Sequence, residues 1–526
     1  MSEFVFGANI LENLTTGMYQ DSRVIYREYI QNACDLIDIA WRKNLLEPGK
    51  ELIDIQLDEK NRSITITDNA TGIPASEFKE VLANIADSDK HIGDAKGFRG
   101  IGRLCGLAYC RELVFSSKAP GESQISVLRC DAAKMRELID KNNQGEKMSA
   151  QEVLNSIYSF PEPEKTRKTS DHWFKVELID VNKENRDLLD FQNVKNYLSF
   201  VAPVPYKNTF IFRRKVYEHA KQIGARIDEY RITLNGEPIV KNYGTRFHTS
   251  KGEDEIFDVV FNEFYDDSKT LIAWTWFGLS RFKAVIQKDC QMRGLRLRKE
   301  NIQVGDDDAL KKLFKEDRGS HYFVGEVFAV SKELIPNSQR DYFNENEMRV
   351  AFEQRVRRYF NDELTRLYRD GSDINSAFKK ISDYEKKATE FDEKKKNGDF
   401  VDEEHRQQAE AAVNKAAKEA EKAKQNIEKK RQKDNPTNPT QRIIDRIEAE
   451  RKKQEAEARK AAKEENAQGK SVNGQKTDNN KRRVDKLTAV SKKEKKIISK
   501  IYSIILSSTD EKTAEKIITK IEEEFK

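Results

Sequence analysis

Between Arg27 and Leu104 lie three short groups of residues whose types suit the binding of a phosphate-bearing ligand. The first is Arg27-Glu28-Tyr29-Ile30-Gln31-Asn32-Ala33-Cys34-Asp35. Helical periodicity puts Glu28, Asn32 and Asp35 on one side, between a charged stripe (Arg27, Gln31, Asp38, Arg42) and an apolar one, so they border a core. Alone, such a triplet reads as a solvated helix face. The second group, Asp68-Asn69-Ala70-Thr71-Gly72-Ile73, follows a strand-like stretch. That leaves the Asp68 carboxylate at a sheet end, where it can accept a hydrogen bond from a ligand amine; an Asx turn capping the strand is the plainer reading. The third, Gly97-Phe98-Arg99-Gly100-Ile101-Gly102-Arg103-Leu104, offers backbone N–H groups without Cβ obstruction ahead of a helix, which suits a phosphate chain; alone, such a run reads as a flexible glycine turn. It lacks the Gly-Lys-Ser/Thr ending of a Walker loop.

The elements that must hold these groups are legible in the periodicity. Tyr26, Ile30, Ala33, Ile37 and Ala40 recur every three or four positions from Asp21 to about Asn44, which predicts a helix with one face on a core. The alternating segments ELIDIQLD and RSITITD, separated by Glu59-Lys60-Asn61, predict a β-hairpin ending on Asp68. A second helix is expected near Ser76 to Ala86, and strands at ELVFSS, SQISVLR and HWFKVELID, which makes the first 200 or so residues an α+β layer arrangement. A second mixed unit begins near Lys207, with strands at ITLNGEPIV, TLIAWTWFGL and HYFVGEVFAV and a helical stretch near Asp308 to Phe314. Its basic run, Arg293-Gly294-Leu295-Arg296-Leu297-Arg298-Lys299, reads as a solvated strand edge rather than a nucleic-acid contact.

At 526 residues the chain is too long for one core. Lys+Arg 95 against Asp+Glu 90 leaves a net charge of +5, which names no partner. No stretch is long and apolar enough to span a bilayer, and the N-terminus has no signal-peptide pattern, so a cytoplasmic protein without a membrane partner is expected. The cysteines (Cys34, Cys105, Cys110, Cys130, Cys290) form no zinc spacing or disulfide framework and are expected as reduced, mostly buried thiols. None of the six histidines sits in a metal or nucleophile pattern.

The order of the three groups resembles the GHKL ATPase superfamily, and most closely its heat-shock protein 90-like branch. The resemblance covers residues 1 to about 345 and is strongest before 110. It implies a Bergerat-type (GHKL) α/β sandwich at residues 1–205, binding ATP with Mg2+ and hydrolysing it. It assigns Glu28 to activating the attacking water, Asn32 to Mg2+, Asp68 to the adenine amine and Gly72 to close backbone approach. Asp35 joins the nucleotide site, and Gly97, Phe98, Arg99, Gly100, Ile101 and Gly102 match the phosphate loop. Ala70 departs from the expected first glycine of the adenine turn, and Leu82 to Lys90 looks like the start of a lid. In the second α/β unit, 206–370, Arg340 lies where these relatives place an arginine that reaches the γ-phosphate; its alternative is a loop ion pair with Asp341 or Glu333.

Beyond the second unit no family is recognised. A charged helical, coiled-coil arm is expected at 371–467, with Ala409, Val413, Ala416, Ala420, Ala423 and Ile427 as a thin seam, broken by NPTNP at 435–439. A flexible linker follows at 468–484 and a helical hairpin at 485–526, its helices started by Ser491/Glu494 and Ser508/Glu511 capping boxes. The stripes Ile498, Ile501, Ile505 and Ala514, Ile518, Ile521, Phe525 are expected to join two subunits. The function implied is a dimeric, nucleotide-gated conformational machine with a protein client. Two alternatives stand beside it: a MutL-, gyrase- or chromatin-type ATPase acting on nucleic acid through basic helices near 415–433 and 451–463, and a nucleotide-binding interaction protein, for example in phage defence, without turnover.

Overall fold

A computed structural model describes residues 6–15, 17, 21–84, 102–432, 438–458, 460 and 492–524. They fall into two compact units, Met1–Ile443 and Ile444–Lys526.

The first unit runs α1 (Asn9–Thr15), α2 (Val24–Arg42), β1 (Ile53–Asp58), β2 (Ser63–Asp68), α3 (Ala75–Ala83), a 3-10 helix (Gly102–Ala108), β3 (Cys110–Lys118), β4 (Gln124–Asp131), α4 (Ala132–Asn143), α5 (Ala150–Ile157), β5 (Tyr158–Ser159), β6 (Glu164–Lys165), β7 (Trp173–Val181), α6 (Phe191–Val201), α7 (Arg213–Gln222), β8 (Ile232–Leu234) and β9 (Glu237–Pro238). Its sheet has the order β5-β4-β3-β7-β2-β1-β8-β9, with β6 beside β4. Alternation sets the register of the expected hairpin. Ile53, Ile55, Ile64 and Ile66 are buried, and Ile53 stands opposite Asp68, so the carboxylate comes to rest at the sheet's end. Tyr26, Ile30, Ala33 and Ile37 of α2 share that core. β8 belongs to ITLNGEPIV, read from the sequence as the opening of the second unit, yet it pairs in parallel with β1 and extends the first sheet.

A second core forms around β10 (Arg246–Thr249), β11 (Gly252–Glu255), β12 (Asp258–Tyr265), β13 (Leu271–Leu279), β14 (Gly294–Lys299), β15 (Ile302–Gln303) and β16 (Val324–Ala329). Five of these form a sheet in the order β12-β13-β16-β14-β15, with β14 parallel to β16. The helical stretch expected near Asp308 to Phe314 is only the short 3-10 turn Lys311–Leu313. The basic run is no solvated edge, because β14 is central and buried. Arg298 Nε donates to Glu326 Oε1 at 2.8 Å, and Lys241 Nζ and Trp276 Nε1 donate to Oε2 at 3.1 and 3.2 Å. The Tyr206 hydroxyl donates to Oε2 as well. Arg298, Lys241 and Glu326 are each 0 % exposed. Burial alone would raise the Glu326 carboxyl, but Arg298, Lys241 and Tyr206 hold it down at about 2.

α8 (Glu347–Tyr359) continues through a π-helical turn into α9 (Thr365–Asn397), which Gly398 ends with a φ of 72°. α10 (Glu403–Gln432) folds back along α9. Lys430 Nζ reaches Asp373 at 3.3 Å and also pairs with Asp370, while Ala420, Ala423 and Ile427 are buried. The expected thin seam thus finds its partner within the same chain. Helical residues resume at 439; 433–437 and the whole expected linker at 468–484 lie outside the described residues.

In the second unit, helices Lys492–Ser508 and Glu511–Glu524 share a small core of Ile498, Tyr502 and Ile518. Tyr502, not Ile501, faces it, and Ile501 is 41 % exposed. Ser508 ends the first helix; the second is capped by Asp510, whose Oδ1 accepts from Thr513 N at 3.1 Å. Ser491 and Phe525 lie outside the described residues. No helix among the described residues is long and apolar enough to cross a membrane.

Removing one member of a buried charge cluster leaves the others uncompensated, at a cost of about 3–5 kcal/mol. Glu326→Gln is therefore expected to lower the urea midpoint strongly. A carboxyl depressed in the fold stabilises above its unfolded pKa and loses that contribution as pH falls towards about 2. The gap between variant and wild type should be constant above about pH 5 and close in acid; a gap independent of pH would contradict the ion cluster.

Candidate functional site

α2 brings Glu28 against the 3-10 helix. Glu28 is buried, and a Cβ on Gly102 would stand 2.5 Å from its Oε2, so a side chain there would displace the carboxylate. On the other side Arg27 Nη2 lies 3.4 Å from Glu28 Oε1 and donates to the Gln339 carbonyl at 3.1 Å. Arg27 and Gln31, expected on an outward charged stripe, are both buried, Arg27 beneath the segment that carries Gln339. Asn32 is half-buried and Asp35 buried on the same helix.

Gln339 and Arg340 form the tip of a tight loop closed by a bridge between Pro336 and Phe343. Arg340 N donates to Asn337 O at 3.1 Å, and Arg340 O accepts from Gly305 N at 2.7 Å. These bonds hold Arg340 at a φ of 54°, a left-handed conformation that costs a side-chain-bearing residue about 1–2 kcal/mol. Asp341, an ion partner considered for it, receives the Asn337 amide at 2.5 Å. Arg340 is 7 % exposed. Burial lowers its pKa, opposed first by the negative charge of Glu28; Arg27, Glu300 and Asp35 also act on it. A residue more than 300 positions away in sequence thus enters the electrostatic field of Glu28.

The other half of the site is the turn after β2. Asp68 Oδ1 accepts from Ala70 N at 3.0 Å, the Asx turn anticipated as the plainer reading. The carboxyl is nevertheless buried, and burial pushes it up to about 7 against the N–H groups of Ala70 and Phe174. Gly72 has a φ of 61°, and a Cβ there would fall 2.1 Å from the Lys118 carbonyl oxygen. Ala70 is absent from the positive-φ positions, so the missing first glycine costs the turn no backbone strain. Ser117 Oγ accepts from Ile73 N at 2.6 Å, and the Asn69 side chain accepts from Leu52 N at 2.8 Å.

Gly97, Phe98, Arg99, Gly100 and Ile101, with His91 and the lid residues from Ile85 to Lys90, lie outside the described residues. The structure also brings in residues that the sequence motifs do not mark. His172 Nδ1 bonds the Ala70 carbonyl, which requires that nitrogen to carry the proton. Lys118 Nζ donates to the carbonyls of Glu122 at 2.8 Å and Asp171 at 3.0 Å, fixing the loops behind Gly72. The Tyr29 hydroxyl donates to Arg103 O at 3.0 Å and accepts from Gly106 N at 3.1 Å. Only the pairing of β7 with β2 and β3, and the packing of α2 on the 3-10 helix, place these residues here. The set can receive a ligand N–H at the Asp68 end and present a carboxylate, glycine backbone and guanidinium at the other.

A profile of the family described as "Histidine kinase-, DNA gyrase B-, and HSP90-like ATPase" matches residues 27–160. Among curated proteins, the chaperone protein HtpG of Helicobacter hepaticus is 30% identical over 133 residues, 22% of this chain and 22% of its own length. HtpG of Bacillus velezensis is 26% identical over 140 residues, 24% and 22% of the two chains. HtpG of Bacillus licheniformis is 33% identical over 85 residues, 15% and 14%. The chain spans about a fifth or less of the length of these relatives.

With its pKa raised in the fold, Asp68 keeps its proton up to about 7, whereas the unfolded chain releases it near 3.8. The folded state is therefore penalised as pH rises through that window, and the penalty is fully present above it. Asp68→Asn is expected to denature at a higher urea concentration than wild type at pH 8 and at the same concentration below about pH 4. Equal midpoints at pH 8 would show that the carboxyl ionises without cost.

Proposed function

Since this chain belongs, through its first domain, to the histidine kinase-, DNA gyrase B- and HSP90-like ATPases, on the heat-shock protein 90-like side, we propose that it hydrolyses ATP as a nucleotide-gated conformational machine. The observation that carries this reading is the reach of the second core's loop to α2: Arg27 Nη2 donates to the Gln339 carbonyl at 3.1 Å, and the next residue, buried Arg340, lies in the electrostatic field of Glu28. An arginine that must travel with one domain to act on the other's ligand makes turnover depend on domain position.

In this reading Asp68 accepts the adenine amine and Gly72 lets the backbone pass close to the base. Asn32 would hold Mg2+, which when bound neutralises charge on the phosphate oxygens. Glu28 takes a proton from the attacking water as its oxygen bonds the γ-phosphorus and the bond to ADP breaks, giving ADP and phosphate. Arg340 steadies the charge that develops on the transferred group. Asp35, buried one turn beyond Asn32, supports that face of α2.

The partner proposed is a protein client, as the relatives' name, chaperone, suggests. The basic run of β14 is too buried to meet a phosphate backbone, and α10 carries charges of both signs. Helices Lys492–Ser508 and Glu511–Glu524 bury only a handful of side chains between them and leave Ile497 59 % exposed, so they are proposed to pair with a second copy.

Glu28→Ala is expected to bind ATP within about threefold of wild type and to lose at least a hundredfold in steady-state turnover; undiminished turnover would remove Glu28 from the mechanism. Arg340→Ala should lower kcat by about a hundredfold with little change in ATP affinity. In sedimentation equilibrium the full chain should run as a dimer and the Ile497→Asp, Ile501→Asp variant as a monomer, while a monomeric wild type would refute the pairing.

A further inference from the structure

Two consecutive residues of α2 grip the 3-10 helix Gly102–Ala108 at two points. Glu28 meets Gly102, where a Cβ would stand 2.5 Å from its Oε2. One residue on, Tyr29 meets Gly106, where a Cβ would stand 2.4 Å from the tyrosine oxygen. Tyr29 is 3 % exposed, so its hydroxyl must find partners inside the protein. It finds both on this one short helix, donating to Arg103 O at 3.0 Å and accepting from Gly106 N at 3.1 Å. The Arg103 side chain extends the tie to α3, donating to Val81 O at 2.7 Å and also to the Asn84 carbonyl. A phenylalanine or leucine at 29 would fill the same apolar space without locating the 3-10 helix along α2.

We propose that Tyr29 is a positioning residue: its hydroxyl sets where the Gly102 backbone stands relative to the Glu28 carboxylate, and so tunes turnover without touching nucleotide. This rests on the ATPase reading above. Chemistry that depends on an oriented carboxylate is sensitive to sub-ångström displacement, whereas affinity for the adenine end, held by Asp68 some 40 residues away, is not.

The test uses the full chain. Tyr29→Phe deletes one oxygen and keeps the ring, and is expected to lower kcat for ATP about tenfold while ADP affinity stays within about twofold of wild type. Amide exchange in residues 102–108 should accelerate while that of α2 is unchanged. Adding Gly106→Ala to Tyr29→Phe refills the vacated space but restores neither hydrogen bond, so the double variant should remain slow. Restored turnover in the double variant would overturn the proposal in favour of simple packing. Wild-type turnover in Tyr29→Phe with accelerated exchange would overturn it too, by showing that the helix can loosen without consequence. A wild-type chain that fails to hydrolyse ATP is a separate result, visible before any variant is made, and would take down the ATPase reading and the positioning role together.

Discussion

A buried carboxylate pressed against a glycine backbone is the constraint on which the candidate site depends. α2 is committed to the sheet by Tyr26, Ile30, Ala33 and Ile37, so the angular position of Glu28 on the helix is not adjustable. Anything that approaches Glu28 must come to it, and the 3-10 helix does so by presenting Gly102 there and Gly106 one turn later to Tyr29. Burying a carboxylate is costly without compensating groups. Here a guanidinium from the preceding residue stands on its open side and is itself tied to the Gln339 carbonyl.

The second core supplies the other wall and holds it under strain. Arg340 sits in a left-handed conformation that glycine would adopt more readily, and it is kept there by bonds to Asn337 and Gly305. Behind this loop, Lys241 Nζ donates to Asn301 Oδ1 at 2.6 Å, and Asn301 Nδ2 donates to Asp228 O at 2.6 Å. The Glu326 cluster is therefore tied to the turn between β14 and β15, whose Glu300 is among the charges acting on Arg340. A buried ion cluster resists deformation more than an apolar core of equal volume, because any displacement strands a charge. That rigidity suits a wall that must deliver one guanidinium to a fixed place.

The motif residues and the elements under them were legible because both signals are local. The alternation of ELIDIQLD and RSITITD, with the Asp68 turn after it, needs no knowledge of the rest of the chain. The burial of Arg298 in β14 was not legible, since the carboxylate that neutralises it belongs to β16, 28 residues away. The alanine seam of α10 looked thin because half of its interface lies on α9, and Ile501 looked apolar enough to face inward although Tyr502 takes that position. Ser508 and Asp510 are both capable caps, and the choice between them turns on where the preceding helix ends, which tertiary packing decides.

By itself the sequence determined the α+β order of the first domain, the strand-end aspartate, the glycine positions and the helix carrying Glu28, Asn32 and Asp35, because each follows from spacing along a few turns of chain. Only the tertiary structure decided which residues hold those groups in register: His172 on the Asp68 turn, Lys118 behind Gly72, Tyr29 under the 3-10 helix and Arg340 within the field of Glu28. The hydrogen bonds of His172, of Tyr29 and of Lys118 to Asp171 join residues 53 to 102 positions apart, and Arg340 lies in the field of Glu28 from more than 300 positions away. Spacing in sequence carries no information about such pairs, because the packing of whole elements, not the residues themselves, brings them within hydrogen-bonding distance.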